Sequence, residues 1–221
     1  MKNIAIIGAG HVGLVTAACF TDLGNSVICV DNDLQKISNL KNGILPFYEP
    51  GLAEIVDRAT KNNRLIFTEH IREAVRDSEV VFIAVGTPQK PNGEPNLTAV
   101  EHVAKEVGEG MDGYRLVVEK STVPVKTARW IESTIRLGCA QNTDFDVASN
   151  PEFLREGSAI NDFMKPDRIV IGVDTERATT ILQELYAPLN APIVITTPET
   201  AELIKHASNA GIHANRVLSL I

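Results

Sequence analysis

Cysteine is scarce in this 221-residue sequence. Only Cys19, Cys29 and Cys139 occur, and they show no CxxC or metal-like spacing, so metal binding is not expected. An odd count of thiols suits a reducing compartment. Basic blocks are lacking as well. Lys and Arg number 21 against 28 Asp and Glu, for a net charge of −7 and a pI near 5.3. Nucleic acid is repelled on average by such a chain, although backbone dipoles can still bind a small anion locally. No apolar run approaches the ~18–20 residues of a membrane span. Met1-Lys2 runs straight into NIAIIGAG, which reads as a buried strand rather than a signal peptide. The expectation is a cytoplasmic protein with neither a membrane nor a nucleic acid as partner. Internal repeats and low-complexity tracts are also missing.

What is present is ordinary for a globular chain able to bury a core: 44% hydrophobic and 22% charged residues. Apolar, β-rich runs lie at 3–7, 26–30, 64–67, 79–85, 115–119 and 144–149. Helical patterns separate them near 11–24, 33–41, 51–61, 70–77, 97–110 and 125–137. Strands that are apolar throughout and alternate with helices predict a parallel sheet covered on both faces, an α/β doubly wound, Rossmann-type fold. Two further strands, 168–173 and 192–196, flank a helix at 175–187. A last helix starts after Thr196-Thr197-Pro198-Glu199, where a Thr cap and Pro in the first turn form a start signal. Along it Ile204, Ala207, Gly211, Ala214, Leu218 and Ile221 form an apolar or small stripe. The Gly- and Pro-rich stretch 86–96, GTPQKPNGEPN, is the most irregular segment.

IAIIGAGHVGL places Gly8, Gly10 and Gly13 directly after a strand and at the opening of a helix. The first glycine permits the tight turn, the second lets a pyrophosphate approach the backbone, and the third lets helix pack on strand. N–H groups and the dipole of the helix start favour the anion. The second strand ends in Asp31, eighteen residues after Gly13. A carboxylate there accepts from ribose hydroxyls and repels a 2′-phosphate, which favours NAD over NADP. At later strand ends sit Gly86-Thr87-Pro88 and Ser121-Thr122-Val123-Pro124. Thr87 and Thr122 are on the edge where open α/β sheets bind ligands. They could equally cap helices, and the two roles are compatible.

Seven segments, in order along the chain, resemble one family: GAGHVGL, YEPGL (48–52), VGTP (85–88), EKSTVPV (119–125), SNPEFLREGSAI (149–160), PDRIVIG (166–172) and AELIKHASN (201–209). The chain is similar to the NAD-dependent nucleotide-sugar dehydrogenases, the UDP-glucose/GDP-mannose dehydrogenase family. The resemblance implies a two-step, NAD-dependent oxidation of a sugar C6 alcohol, as in UDP-glucose to UDP-glucuronate. A GDP-mannose or a UDP-amino sugar is the alternative substrate. It also implies that Gly8, Gly10, Val12, Gly13, Asp31, Lys36, Thr87, Thr122 and Glu156 serve the cofactor site, and that Glu152, Phe153, Leu154, Lys205 and Asn209 face the nucleotide sugar. Among these, Lys205 would stabilise an alkoxide or oxyanion and Asn209 would donate to the same oxygen. Glu152 with Thr122 would orient a water.

Taken without the family, Glu202 and Lys205 read as a solvated helix pair. Glu152 and Glu156 stand i,i+4 on what could be a helix, and His206 and His213 are seven apart rather than the four of a metal pair. Several positions depart from the family pattern. His11 stands for a Tyr in the glycine turn and could still donate to a phosphate. Lys126 stands for a Gly, His206 for a Tyr, and Gly211-Ile212 for an apolar pair. The family's catalytic cysteine belongs to a GGSCFPKD-like segment that nothing here matches, and all three cysteines read as structural. The expected division is an NAD-binding domain over 1–197 and, over 198–221, the start of a connecting and dimerisation helix, with a C-terminal sugar-nucleotide domain absent and a homodimer implied. Such a chain binds NAD but lacks the thiolate for the second oxidation. The rival readings are a non-catalytic NAD-binding module and a Rossmann dehydrogenase of hydroxy acids.

Overall fold

A computed structural model describes the backbone of residues 1–218 and the side chains of residues 1–211. Strands β1 (Asn3–Ile7), β2 (Ser26–Val30), β3 (Leu65–Thr68), β4 (Val80–Ile83), β5 (Arg115–Glu119), β6 (Phe145–Ser149), β7 (Ile169–Gly172) and β8 (Ile193–Thr196) build one sheet. Its order is β3-β2-β1-β4-β5-β6-β7-β8. The first six strands are parallel and follow the 3-2-1-4-5-6 order of a dinucleotide-binding fold. Helices α1 (His11–Asp22), α2 (Leu34–Lys41), α3 (Leu52–Lys61), α4 (Ile71–Arg76), α5 (Thr98–Gly110), α6 (Thr127–Gly138), α7 (Ala159–Met164), α8 (Glu176–Tyr186) and α9 (Pro198–Leu218) complete the layers. Among the described residues no helix is long and apolar enough to cross a membrane.

The central strands are apolar because both faces are covered, whereas the outer strands β3 and β8 leave Ile66, Val194 and Ile195 exposed. Ile4 and Ile6 of β1 point into one core with Phe20, Phe82, Phe163 and Tyr186. Ala5 and Ile7 point into the other, with Val103, Val107, Ile131 and Ile135 of α5 and α6. On the first side Phe20 packs edge-on against Phe163 at 5.3 Å and tilted on Phe82 at 5.2 Å, the offset geometries that aromatic quadrupoles favour.

The sheet departs from the all-parallel expectation in one respect. β7 is antiparallel to β6, through the single pair Ser149↔Gly172, and β8 is parallel to β7. A parallel neighbour needs a crossover carrying the chain back along the sheet, whereas residues 150–168 contain only the six-residue α7. The chain therefore turns back at the carboxyl end of β6. Because β7 meets β6 only at their last residues, segment 150–168 is left standing beyond the carboxyl ends of the first six strands. α7 itself was missed in sequence because one and a half turns are too short to show a period. It is held from outside: Ser158 Oγ donates to Asp162 at 3.0 Å and Arg155 pairs with Asp162. Glu152 and Glu156 do not share a helix, since 151–155 is extended loop and 156–158 a turn.

α9 begins where its Thr-Pro signal placed it, with Thr200 N–H donating to Thr197 Oγ1 at 3.3 Å. Its buried residues among those described are Pro198, Ala201, Glu202 and Lys205. Ile204 is half-buried, and Ala207 and Gly211 are exposed. The remainder of the expected stripe (Ala214, Leu218, Ile221), with the side chains of Ile212 and His213, lies outside the described residues. The solvated Glu202–Lys205 pair is not formed. Glu202 is buried and caps α6 across the fold, its carboxylate accepting from Lys126 N–H at 2.6 Å and Ala128 N–H at 2.7 Å. Neither Ser121 nor Thr122 performs that capping.

Lys126 itself adopts a left-handed backbone, φ +79°, where a Cβ crowds the neighbouring carbonyl. The glycine expected from the family would sit there without that clash. Lys126→Gly is expected to raise stability by about 0.5–1 kcal/mol, the steric relief exceeding the extra chain entropy of glycine. Urea unfolding of the two proteins measures it, and a lower midpoint for the glycine variant would contradict the strain.

Candidate functional site

The glycine turn runs from β1 into α1. Gly8 has φ +110°, and a Cβ there would lie 2.6 Å from the Ala84 carbonyl oxygen. A Cβ on Gly13 would lie 1.7 Å from the Gly8 oxygen, so α1 packs against its own turn at a distance only glycine allows. Gly10 differs from both: nothing lies within 4 Å of where its Cβ would be. That open space faces a cavity of about 260 Å³ lined by Gly8, Gly10, Asp31, Lys36, Gly86 and His102, among others. Val12, on the first turn of α1, is half-buried against the core.

Asp31 closes the turn from the side. Its Oδ2 accepts from Ala9 N–H at 2.8 Å and from Lys36 Nζ at 2.8 Å, and its Oδ1 accepts from Asp33 N–H at 3.0 Å. Burial works against this carboxylate, but Lys36 and the two N–H groups outweigh it and hold the carboxyl below its ordinary range. Asp31 stays ionised with acceptor capacity to spare. An extended cavity, a glycine without a wall and an ionised carboxylate at its end fit a dinucleotide, with pyrophosphate at Gly10 and ribose hydroxyls at Asp31.

A second cavity, of about 370 Å³, opens in segment 150–168 and is lined by Glu152, Phe153, Leu154, Arg168 and Lys120, among others. Lys205 reaches into this region from α9, its Nζ donating to Glu152 Oε1 at 2.8 Å and to the Glu152 carbonyl at 2.6 Å. Glu152 Oε2 accepts from Leu154 N–H at 2.6 Å, which fixes the carboxylate in its own loop. The Phe153 ring lies 5.5 Å from Lys205 Nζ and 5.5 Å from the Arg168 guanidinium carbon, a stacking that holds two cations beside the cavity.

Lys205, Glu152, Phe153 and Leu154 are therefore brought together. Thr87 and Thr122 are also joined, the Thr87 hydroxyl donating to the Thr122 carbonyl at 2.8 Å. Asn209 is half-buried one turn beyond Lys205, without a hydrogen bond to another described residue. Glu156 is exposed in its turn and forms no ion pair with a described residue. His11 points one ring nitrogen at Glu49 instead of into the turn (Nε2 to Oε2, 3.0 Å). His206 bonds the Val123 carbonyl at 2.7 Å and so ties α9 to the STVPV turn.

Two residues at the second cavity were not foreseen. Lys120 is fully buried, its Nζ donating to Asn150 Oδ1 at 3.0 Å, while Tyr186 donates to the same oxygen at 2.5 Å. Lys120 and Asn150 stood inside the recognised EKSTVPV and SNPEFLREGSAI segments, yet only the fold shows that their side chains meet. The cysteines are no nucleophiles at either cavity. Burial pushes the Cys19 and Cys29 thiols up to about 12. Cys139 follows α6, at the opposite edge of the sheet from the strand carboxyl ends.

The family profile described as UDP-glucose/GDP-mannose dehydrogenase family, NAD binding domain, matches residues 2–190. A UDP-glucose 6-dehydrogenase of Bacillus subtilis (strain 168) is 50% identical over 210 residues, which cover 95% of this chain and 46% of the relative. One from Rhizobium meliloti (strain 1021) is 50% identical over 214 residues, covering 94% and 49%. The chain thus spans about half the length of the curated relatives it matches. Among solved structures, a UDP-glucose dehydrogenase from Pyrobaculum islandicum superposes with a TM-score of 0.91 at 44% identity, covering 95% of this chain and 49% of the other. A GDP-mannose dehydrogenase from Pseudomonas aeruginosa, solved as a ternary complex, gives 0.93 at 39%, covering 97% and 50%. The chain belongs to the UDP-glucose/GDP-mannose dehydrogenase family, whose NAD-binding domain it carries, and its cofactor is NAD.

Proposed function

We propose that this chain supplies the NAD-binding half of an enzyme that oxidises UDP-glucose to UDP-glucuronate. The observation that carries the reading is the Lys205–Glu152 pair, closed at 2.8 Å beside the second cavity. In this reading residues 1–197 form the cofactor domain and 198–221 begin a connecting helix in a cytoplasmic homodimer. Gly8, Gly10, Val12, Gly13, Asp31, Lys36, Thr87, Thr122 and Glu156 serve the cofactor. Glu152, Phe153, Leu154, Lys205 and Asn209 face the sugar nucleotide.

Bound NAD supplies the hydride acceptor. The chain's own residues do the rest of the work at this edge. In this reading the Lys205 side chain stabilises an alkoxide or oxyanion on the sugar carbon, the interaction that most often dominates such chemistry. Asn209, one turn on, adds a neutral donor. Glu152, held by Lys205 Nζ and Leu154 N–H, orients a water with Thr122. The second oxidation of the family requires a thiolate; Cys29, near the carboxyl end of β2, is buried in the core, and Cys19 and Cys139 lie on or just after helices. By itself the chain binds NAD without completing the reaction. UDP-glucose is preferred over GDP-mannose or a UDP-amino sugar on the resemblance of EKSTVPV and NPEFLREG.

Calorimetric titration with NAD and NADP, followed by NADH formation with UDP-glucose, tests this. NAD should bind at least about tenfold tighter than NADP, since the 2′-phosphate would face the Asp31 carboxylate (tenfold being about 1.4 kcal/mol). NADH should stay at background. Steady NADH production with UDP-glucuronate as the product, by this chain alone, would overturn the assignment of the missing nucleophile.

A further inference from the structure

Glu49, in the YEPGL segment, is buried and plays no part in the chemistry above. It nevertheless joins the two halves of the site. Its Oε1 accepts from Ala159 N–H at 2.9 Å, and its Oε2 accepts from Gly157 N–H at 2.9 Å and faces His11 Nε2 at 3.0 Å. Its partners thus come from two distant places. His11 is the first residue of α1, directly after Gly10, and its ring rests on Phe47 at 4.9 Å. Gly157 and Ala159 close the loop that carries Glu152, Phe153, Leu154 and Glu156, and Gly157 holds φ +85°.

We propose that Glu49 is a positioning residue which, through His11, couples occupancy of the dinucleotide turn to the order of the sugar-side loop. The proposal rests on the assignment of segment 152–159 to the sugar nucleotide. A buried carboxylate must keep its partners, because losing one leaves charge uncompensated in a poorly solvating site. Here the three partners are one imidazole from the cofactor side and two backbone N–H groups from the loop side. Burial disfavours the Glu49 charge, yet His11, Gly157 and Ala159 together hold the carboxyl below its ordinary range.

Pyrophosphate bound at the first turn of α1 restrains the backbone of His11. Restraint of the imidazole fixes Glu49 Oε2, and the same carboxylate then holds Gly157 and Ala159. The path is a contiguous chain of bonds no longer than 3.0 Å, the kind of network that carries coupling when both ends bias it. By linkage, what orders the loop also tightens the cofactor. Because His11 replaces a Tyr of the family pattern, the imidazole in this link is a property of this chain.

Amide hydrogen exchange of the chain, with and without saturating NAD, tests the idea, with NAD binding measured by calorimetry on the same samples. In the unaltered protein NAD should slow exchange at Gly157 and Ala159 by about three- to tenfold. In His11→Phe at saturating NAD that response should vanish while protection at the glycine turn remains. In Glu49→Gln the amide end of the side chain faces an N–H donor. Both loop amides should then exchange faster even without NAD, and should not respond to it. Binding of NAD with no change at Gly157 and Ala159, or an undiminished response in His11→Phe, overturns the coupling and leaves the cofactor site standing. Absence of NAD binding to the unaltered chain overturns the cofactor-site assignment and the coupling with it.

Discussion

Gly10→Ala is expected to fold normally and lose most of its affinity for NAD, whereas Gly13→Ala is expected to lose the fold itself, although both add a single methyl to one glycine turn. The methyl of Gly10→Ala meets nothing within 4 Å, and the backbone there (φ −77°) suits any residue. It projects into the open space where pyrophosphate would approach. The variant should keep its unfolding free energy to within about 1 kcal/mol while its Kd for NAD rises about 10- to 100-fold. The methyl of Gly13→Ala lies 1.7 Å from the Gly8 oxygen. Relief would require α1 to move off the sheet, and α1 is buried over most of its length. A loss of more than about 3 kcal/mol follows from overpacking of this kind. Parallel denaturation and calorimetry decide the matter. Equal stability of the two variants would show that the turn is not built as described.

Stability should also fall as pH rises from 5 to 8 and recover briefly above 8, through two consecutive residues at the end of β5. Glu119 is fully buried, one of its oxygens lacks a partner among the described residues, and its carboxyl is pushed up from 4.5 to about 8. Burial is the main cause. The Ser121 bonds oppose it and the Glu202 charge adds to it. Lys120 is brought down from 10.5 to about 8, again chiefly by burial, with Lys205 adding to the effect and Glu152 opposing it.

The signs differ between the two groups. Folded Glu119 holds its proton more tightly than the unfolded chain does. Its contribution is therefore fully present below pH 4.5 and lost as pH rises through 8. Folded Lys120 holds its proton less tightly, so its contribution is present above pH 10.5 and lost as pH falls through 8. Stability falls from pH 5 to 8, and above 8 Lys120 restores part of it (about 1.4 kcal/mol per tenfold change in proton affinity). The Cys19 and Cys29 thiols, raised in the fold from 9 to about 12, then reverse the gain from pH 9 upward. Carboxyls held low by their partners, such as Asp31, Glu49 and Asp162, act only below this window. Urea midpoints between pH 5 and 10 provide the measurement. Glu119→Gln should flatten the fall between pH 5 and 8, and Lys120→Met should remove the rise between pH 8 and 9. A Glu119→Gln curve parallel to that of the unaltered protein would refute the assignment.

Much of this protein is determined locally. Asn3–Ile7, Ser26–Val30 and Arg115–Glu119 coincide with the apolar runs read from the sequence, because strands covered on both faces must be apolar at every position. The glycine turn and Asp31 follow from spacing alone, although only Gly13 answers a steric demand of its own turn: a Gly8 Cβ would meet the distant Ala84, and Gly10 faces open space. Thr197 before Pro198 is likewise a local start signal.

The tertiary structure decided whatever depends on contacts distant in sequence. No pattern within residues 150–168 reveals that β7 runs back against β6, because strand direction is set by the connection and by what it packs on. Glu202 looked like half of a surface pair with Lys205. Each is drawn to a different partner, Glu202 to the N-terminus of α6 and Lys205 to Glu152, because buried charges need compensation that a neighbour on the same helix does not supply. Glu49, Lys120 and Asn150 lay inside recognised segments without an evident role, since a role built from side chains 30 to 110 residues apart exists only once the chain has closed on itself.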